Sequence, residues 1–420
     1  MKLGYKQTDL GIIPEDWGLY TISELCQIVS GGTPSTAIPN FWLKGNIPWC
    51  TPTDITSTAG KYIYKTDRNI TSLGLAKSSA NLLPEGSLLL CSRATIGEVR
   101  IAKTKIATNQ GFKSLICNSI NNEFMYYKVL TLKERLKQFS IGSTFLEFSK
   151  KDIAQLQIDI PNLEEQKLIA SALSDIDRLI ESLEQLIDKK RVIKTAAMQQ
   201  LLTGKKRLPG FDSEWLEKNM AQDSYLKARI GWQGLTTAEY LETGKYILIT
   251  GTDFTNGKVD WNNCCYVKKE RYDQDKNIQA KLGDILLTKD GTIGKVAYID
   301  ELPKPATLNS GVYVIRPKNE SYHPLYFYYV LRSKIFKDFL NKLQAGSTIN
   351  HLYQKDFLHF SFTAPPVQEQ KAISQILYDM DNEISLLQQR LAKAHSLKKG
   401  MMNELLTGKT RLVKKIMKRK

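Results

Sequence analysis

The sequence predicts a mixed α+β chain built as a tandem repeat: globule, long helix, globule, long helix. Three observations predict it. One stretch recurs without a gap, an apolar seam of helical period runs through both copies, and a set of Gly-rich loops recurs more faintly between them. The expected segments are a globule over 1–157, a helix over 158–208, a second globule over 209–362, a second helix over 363–412 and a basic tail over 413–420. The two helices are expected to form an antiparallel coiled coil, so that the two similar globules are separated by it and related by a pseudo-twofold axis.

The first long helix begins after Pro161 and the second after Pro365, where proline is harmless. Residues 161–208, "PNLEEQ…LLTGKKRL", align with 365–412, "PPVQEQ…LLTGKTRL", at an offset of 204, with 21 of 48 positions identical. Leu173, Ile176, Ile180, Leu183 and Ile187 recur at steps of three and four, and Leu377, Met380, Ile384, Leu387 and Leu391 match them. That 3.5-residue spacing draws one apolar seam along each helix. Ile193, Ala197 and Leu201, with Leu397, Met401 and Leu405, are expected to extend it. Some forty residues at about 1.5 Å each span roughly 60 Å.

The ending "TGKT" resembles a phosphate-binding loop and is not one. In the second copy Asn403 stands where the first glycine of that motif belongs, and Lys206 replaces its final threonine in the first copy. Gly204 and Gly408 read instead as left-handed residues that end the helices.

The globules repeat more loosely. "GSLLLCSRATIG" (86–97) matches "GDILLTKDGTIG" (283–294), "TNQGF" (108–112) matches "LNSGV" (308–312), and "TPTDI" (51–55) matches "TGTDF" (250–254). "GSTFLEFSKKD" (142–152) likewise matches "GSTINHLYQKD" (346–356). Short β-branched and aromatic runs between Gly-rich turns give each globule an α+β character.

A net charge of +16 favours acidic partners, nucleic acid first. No stretch reaches the apolar length of a membrane span, and the N-terminus lacks the apolar core of a signal peptide, so a cytoplasmic chain is expected. Six scattered cysteines and four histidines do not make a metal site, and no metal or cofactor is expected.

The loops "SGGTP" (30–34), "IPW" (47–49), "SRATIG", "TNQGF", "GST" (142–144) and "EEQ" (164–166) occur in order, with a second set later, each set followed by a long helix ending "LLTGK". In this the chain resembles the specificity subunit of type I restriction–modification systems, the HsdS family, over nearly its whole length. "SGGTP" has no clear second copy; "ARIGWQGLT" (228–236) stands in its place.

The resemblance implies a non-catalytic subunit. Each globule would be a target-recognition domain reading half of a split, asymmetric site in double-stranded DNA. The helices would space the two readers and dock two DNA-methyltransferase subunits, which restriction subunits would join. The residues agree, since no methyltransferase N-P-P-[YF] motif and no Gly-rich cofactor loop is visible. An enzyme acting on nucleic acid and a purely structural coiled-coil adaptor are the alternatives. Neither has a catalytic constellation or a reason for repeated loops behind it.

Bases are read in the major groove by Arg or Lys on guanine and Asn or Gln on adenine. The candidate DNA-binding residues of the first globule are Thr33, Lys44, Arg93, Thr95, Asn109 and Gln110. Those of the second are Arg229, Gln233, Lys289, Thr292, Asn309 and Ser310. Thr95-Ile96-Gly97 and Thr292-Ile293-Gly294 occur in both copies and could instead hold the loops, as Asn109 and Asn309 could form turns. Trp42, Trp49 and Trp232 are expected in the core.

If the helices set the distance between the two readers, adding a heptad after Ile187 and after Leu391 lengthens that distance by about 10 Å while preserving the seam. The expected outcome is a longer spacer between unchanged half-sites when methylated bases are mapped. An unchanged spacer would remove the helices as the ruler.

Overall fold

The computed structural model describes residues 4–140, 147–344 and 351–413. The chain divides into two compact units, Met1–Gln185 with Gln388–Lys420, and Leu186–Leu387. The two long helices, Leu163–Leu201 and Val367–Leu405, each run 39 residues and each contributes to both units.

The first unit holds a five-stranded sheet. Its order is Cys26–Ser30, Lys113–Cys117, Leu88–Leu90, Val99–Ala102, then Tyr62–Ile63. The first three junctions are antiparallel and the last is parallel. The second unit repeats the first four strands in the same order, as Ser224–Ala228, Val312–Pro317, Ile285–Thr288 and Val296–Tyr298. A smaller sheet also recurs. Ala107–Thr108 lies parallel to Ile47–Cys50, and Ala306–Leu308 parallel to Tyr246–Ile249; each pair carries an antiparallel third strand. A two-stranded ribbon pairs Gly18–Thr21 with Gln157–Ile160, and its counterpart pairs Leu216–Asn219 with Ser361–Ala364. The duplication read from the loops is thus a duplication of topology.

The strands are short runs of Leu, Ile and Val buried on both faces, such as Leu88-Leu89-Leu90 and Ile285-Leu286-Leu287, each of which is wholly buried. The repeated "TPTDI" and "TGTDF" are capping boxes. Asp54 accepts from the Thr51 amide at 2.8 Å, and Asp253 accepts from the Thr250 amide at 2.7 Å.

Gly204 and Gly408 hold φ of +70° and +68°, the left-handed residues expected after the helices. The same return bond closes both ends: the Lys206 amide donates to Gln200 O and the Thr410 amide to Glu404 O, each at 3.2 Å.

Within each unit the beginning of one helix packs antiparallel to the end of the other. Leu173, Ile176, Ile180, Leu183, Ile187, Leu377, Ile384 and Leu387 are buried as expected, while Met380 and Leu391 are half-buried. The expected continuation of the seam needs correction. Ile193 and Leu397 are 43% and 55% exposed. A heptad added to Ile187 or Leu391 lands on Lys194 or Lys398, one residue further on. Lys194 is 8% exposed and pairs with Asp381; Lys398 pairs with Asp177 at 2.7 Å. Both pairs sit at the same place in the repeat. Tyr329 and Tyr127 donate to the same two aspartates at 2.9 and 2.6 Å.

The "EEQ" and "QEQ" motifs tie each helix start to its globule. Glu165 and Glu369 are fully buried. Arg411 bonds Glu165 through two nitrogens at 2.7 Å, and Arg207 bonds Glu369 at 2.8 and 2.7 Å. Gln166 accepts from the Asn121 amide at 2.9 Å and donates to Pro161 O; Gln370 accepts from the His323 amide at 2.8 Å and donates to Pro365 O. Arg411 also bonds Asp16 at 2.7 Å, which sets the end of the second helix beside the segment leading to Trp17.

Removing one partner of a buried pair strands the other charge. Arg411→Ala is expected to cost about 3 kcal/mol, with Arg411→Lys recovering only part because lysine cannot make the fork. Urea unfolding of the purified chain measures this, and an unchanged midpoint would show that Glu165 finds another partner.

Candidate nucleic-acid interface

In each unit three loops converge at one end of the main sheet. In the first unit the Ser92 amide donates to Gly111 O at 2.8 Å, and the Phe148 amide donates to Ser92 O at 3.2 Å. In the second the Lys289 amide donates to Gly311 O at 2.9 Å, and the Leu352 amide to Lys289 O at 2.8 Å. Asn109 and Asn309 close the third side, their amides bonding Cys50 O at 3.0 Å and Ile249 O at 2.9 Å. The backbone frame is therefore the same twice.

The loop tips bend through a left-handed residue in both units, Ala94 at φ +61° and Gly291 at φ +65°. For alanine that conformation costs roughly 1–2 kcal/mol, so the surrounding bonds hold it.

The side chains on this frame differ. In the first unit Arg93 lies over Gly111 beside Asn109: a Cβ on Gly111 would stand 3.2 Å from Arg93 Nε and 3.1 Å from Asn109 Oδ1. Thr33 bonds Gln110 directly, so these two also belong to the cluster. Arg93 bridges in backbone to Glu147, whose carboxylate takes Lys113 at 2.8 Å and Ser92 at 3.0 Å. Partial burial raises the pKa of Glu147, but the bonds from Lys113 and Ser92 and the charge of Arg93 outweigh it and hold the carboxyl below its ordinary range. Thr95 is half-buried at the loop base. Lys44 is exposed on a separate turn, with φ +58°.

In the second unit Asp290 replaces Arg93 and His351 replaces Glu147, and the two are paired. Lys289 lies 5.3 Å over the Tyr313 ring. Thr292 is exposed, and its carbonyl accepts from Thr288 Oγ1 at 2.5 Å. Asn309 donates to Tyr240 at 2.7 Å and accepts from the Ser310 amide, so both are engaged in the turn.

Arg229 is not a surface reader. It is 1% exposed, and its guanidinium donates to Leu308 O, Gln274, Arg271 O and Thr307. It occupies the strand-end position of Gly31, where a Cβ would stand 1.8 Å from Asn109 O. The first unit brings its backbone into that space; the second fills the corresponding space with a side chain. That difference accounts for the missing copy of "SGGTP". Gln233 is 8% exposed and also sits inward.

Trp49 is buried and donates to Gly32 O at 2.9 Å, supporting the turn from below, with Trp42 edge-on at 5.0 Å. The side chain of Trp232, the two "GST" stretches and the tail beyond 413 lie outside the described residues.

Lys113, Glu147, Asp290 and His351 were not picked out from the sequence. The loop alignment already pairs Arg93 with Asp290 and Glu147 with His351, so a change of charge at matched positions was the available signal.

Among the described residues no group of His, Cys, Asp or Glu is arranged to hold a metal, and no helix is long and apolar enough to cross a membrane. What the fold and loops define is a duplicated α+β scaffold presenting two differently charged surfaces on one frame.

The chain belongs to the type I restriction modification DNA specificity domain family, whose model matches residues 14–189 and 234–395. It is 28% identical to the type I restriction enzyme MjaIX specificity subunit of Methanocaldococcus jannaschii, covering 97% of this chain and 96% of that one. It is 22% identical to the EcoBI specificity subunit of Escherichia coli over 76% of this chain and 70% of that one. The fold is similar to that of a type I restriction–modification S subunit from M. genitalium, with a TM-score of 0.60 at 18% identity, covering 96% of this chain and 99% of that chain.

Gly31→Ala drives a methyl group into backbone, whereas Gly231→Ala meets nothing within 4 Å. The first is expected to destabilise by about 1–3 kcal/mol and the second to be near neutral, as read by thermal melting. Equal melting points would show that the Asn109 turn yields freely.

Proposed function

We propose that each unit reads one half of a split, asymmetric DNA site through its three converging loops. The chain is the specificity subunit of a type I restriction–modification complex and carries no catalysis of its own. The long helices dock two DNA-methyltransferase subunits, and restriction subunits join that assembly in the cytoplasm. The functional segments are the two target-recognition domains over 1–157 and 209–362 and the helices over 158–208 and 363–412.

The observation that carries this reading is the contrast between frame and side chains. The amide bonds among Ser92, Gly111 and Phe148 recur among Lys289, Gly311 and Leu352. On that shared frame the charge at the loop tip changes sign, from Arg93 to Asp290. A frame kept for stability alone has no need of inverted tips. Two readers of different sequence require them.

Arg93 suits guanine, whose O6 and N7 accept two bonds, and Gln110 and Asn109 suit adenine. Asp290 accepts from the amino group of cytosine, with His351 holding it in place. Lys44, Lys289 and Thr292 contact the backbone or the flanking bases. Thr33, Thr95, Asn309 and Ser310 shape the loops that present the readers.

Arg93→Ala is expected to relax one position of one half-site, with discrimination falling by roughly 5- to 150-fold, equivalent to about 1–3 kcal/mol. Mapping methylated bases in cells that carry the variant with its methyltransferase partner gives the answer. Changes in both half-sites, or none in either, would overturn this assignment.

A further inference from the structure

The second unit contains a half-open cavity of about 1220 Å³ whose lining includes none of the loop residues assigned above to DNA. Its floor is apolar, formed by Leu202, Phe254, Val296, Leu331 and Phe336, all below 9% exposure. Its lining also carries Lys205, Lys295 and Lys337, which are exposed and form no ion pair among the described residues. The acidic side chain in the lining, Asp338, is taken by Lys334 at 2.6 Å. Arg332 adds a further cation, its guanidinium 3.6 Å from Asp381.

The first unit shows what an unused version of this place looks like. There Glu98 stands where Lys295 stands in the second unit. Glu98 pairs with Lys133 at 2.5 Å, and the Lys133 side chain covers Gly97 so closely that a Cβ would lie 2.8 Å from it. The second unit has exchanged a neutralising carboxylate for another lysine. Unpaired like charges around one concavity repel one another until an anion neutralises them.

We propose that this cavity binds a small organic phosphate of mononucleotide size, its phosphate among Lys205, Lys295 and Lys337 and its apolar body against Leu202, Phe254 and Phe336. Sites for small molecules combine a mainly apolar wall with a few polar groups that fix orientation. A dianionic head answers several cations better than a single carboxylate does. A DNA backbone is a poor match, because a rod of phosphates touches the lysines without filling the apolar floor.

The test is calorimetric titration of the full chain with adenosine 5′-monophosphate, with adenosine, and with inorganic phosphate. Saturable binding of the monophosphate is expected, with adenosine and phosphate alone each at least tenfold weaker. Lys295→Glu should weaken the monophosphate at least tenfold with an unchanged melting temperature. Lys409→Glu, at the position beyond the other helix end that matches Lys205, should leave its binding unaltered. The proposal fails if the monophosphate does not saturate, if Lys295→Glu binds it as well as the parent, or if inorganic phosphate binds as tightly. It fails also if a random-sequence duplex displaces the monophosphate, since the lysines would then belong to a path for DNA.

Discussion

The architecture depends on two buried carboxylates. Glu165 and Glu369 open the long helices with no exposure to water. A carboxylate there is tolerable only when a cation with matching geometry reaches it. Arg411 and Arg207 do so, each from just beyond the end of the opposite helix. Shifting one helix by a turn would bury both carboxylates without a partner. The pairing therefore acts on register more than on net stability, in keeping with the small or negative gain usual for buried ion pairs.

The lysine–aspartate pairs lying further along the seam act in the same direction. An all-leucine seam can slide by a heptad at small cost, whereas Lys194 against Asp381 and Lys398 against Asp177 cannot. Tyr329 and Tyr127 hold those aspartates from the globule side, so helix register and globule placement within a unit are set together.

Much of this was legible in the sequence because duplication prints each constraint twice. The helices, their glycine ends and most of the seam followed from periodicity. The seam was misjudged only where polar residues replace apolar ones, since a hydrophobic pattern cannot announce that Lys194 lies inward. Arg229 misled for the same reason: a basic residue beside a Gly-rich turn is read as exposed, yet its four hydrogen-bond partners come from segments up to 79 residues away. The cluster of converging loops was half visible. Arg93, Asn109 and Gln110 stood in recognisable loops, while Glu147 and His351 lie far along the chain and join those loops through long-range backbone and side-chain pairing.

Each arginine at a helix end belongs to one copy of the repeat and its glutamate to the other. A single copy thus carries one plug and one socket that do not meet within it. Two identical copies on separate chains would satisfy both at once, by the reciprocal contact that a twofold dimer requires. The present chain has the logic of such a dimer fused end to end. Within one chain the two copies need not match residue for residue, as the loop tips show. Arg93 and Asp290 stand at matched positions with opposite charge, while Glu165 and Glu369, and Arg207 and Arg411, are the same in both copies.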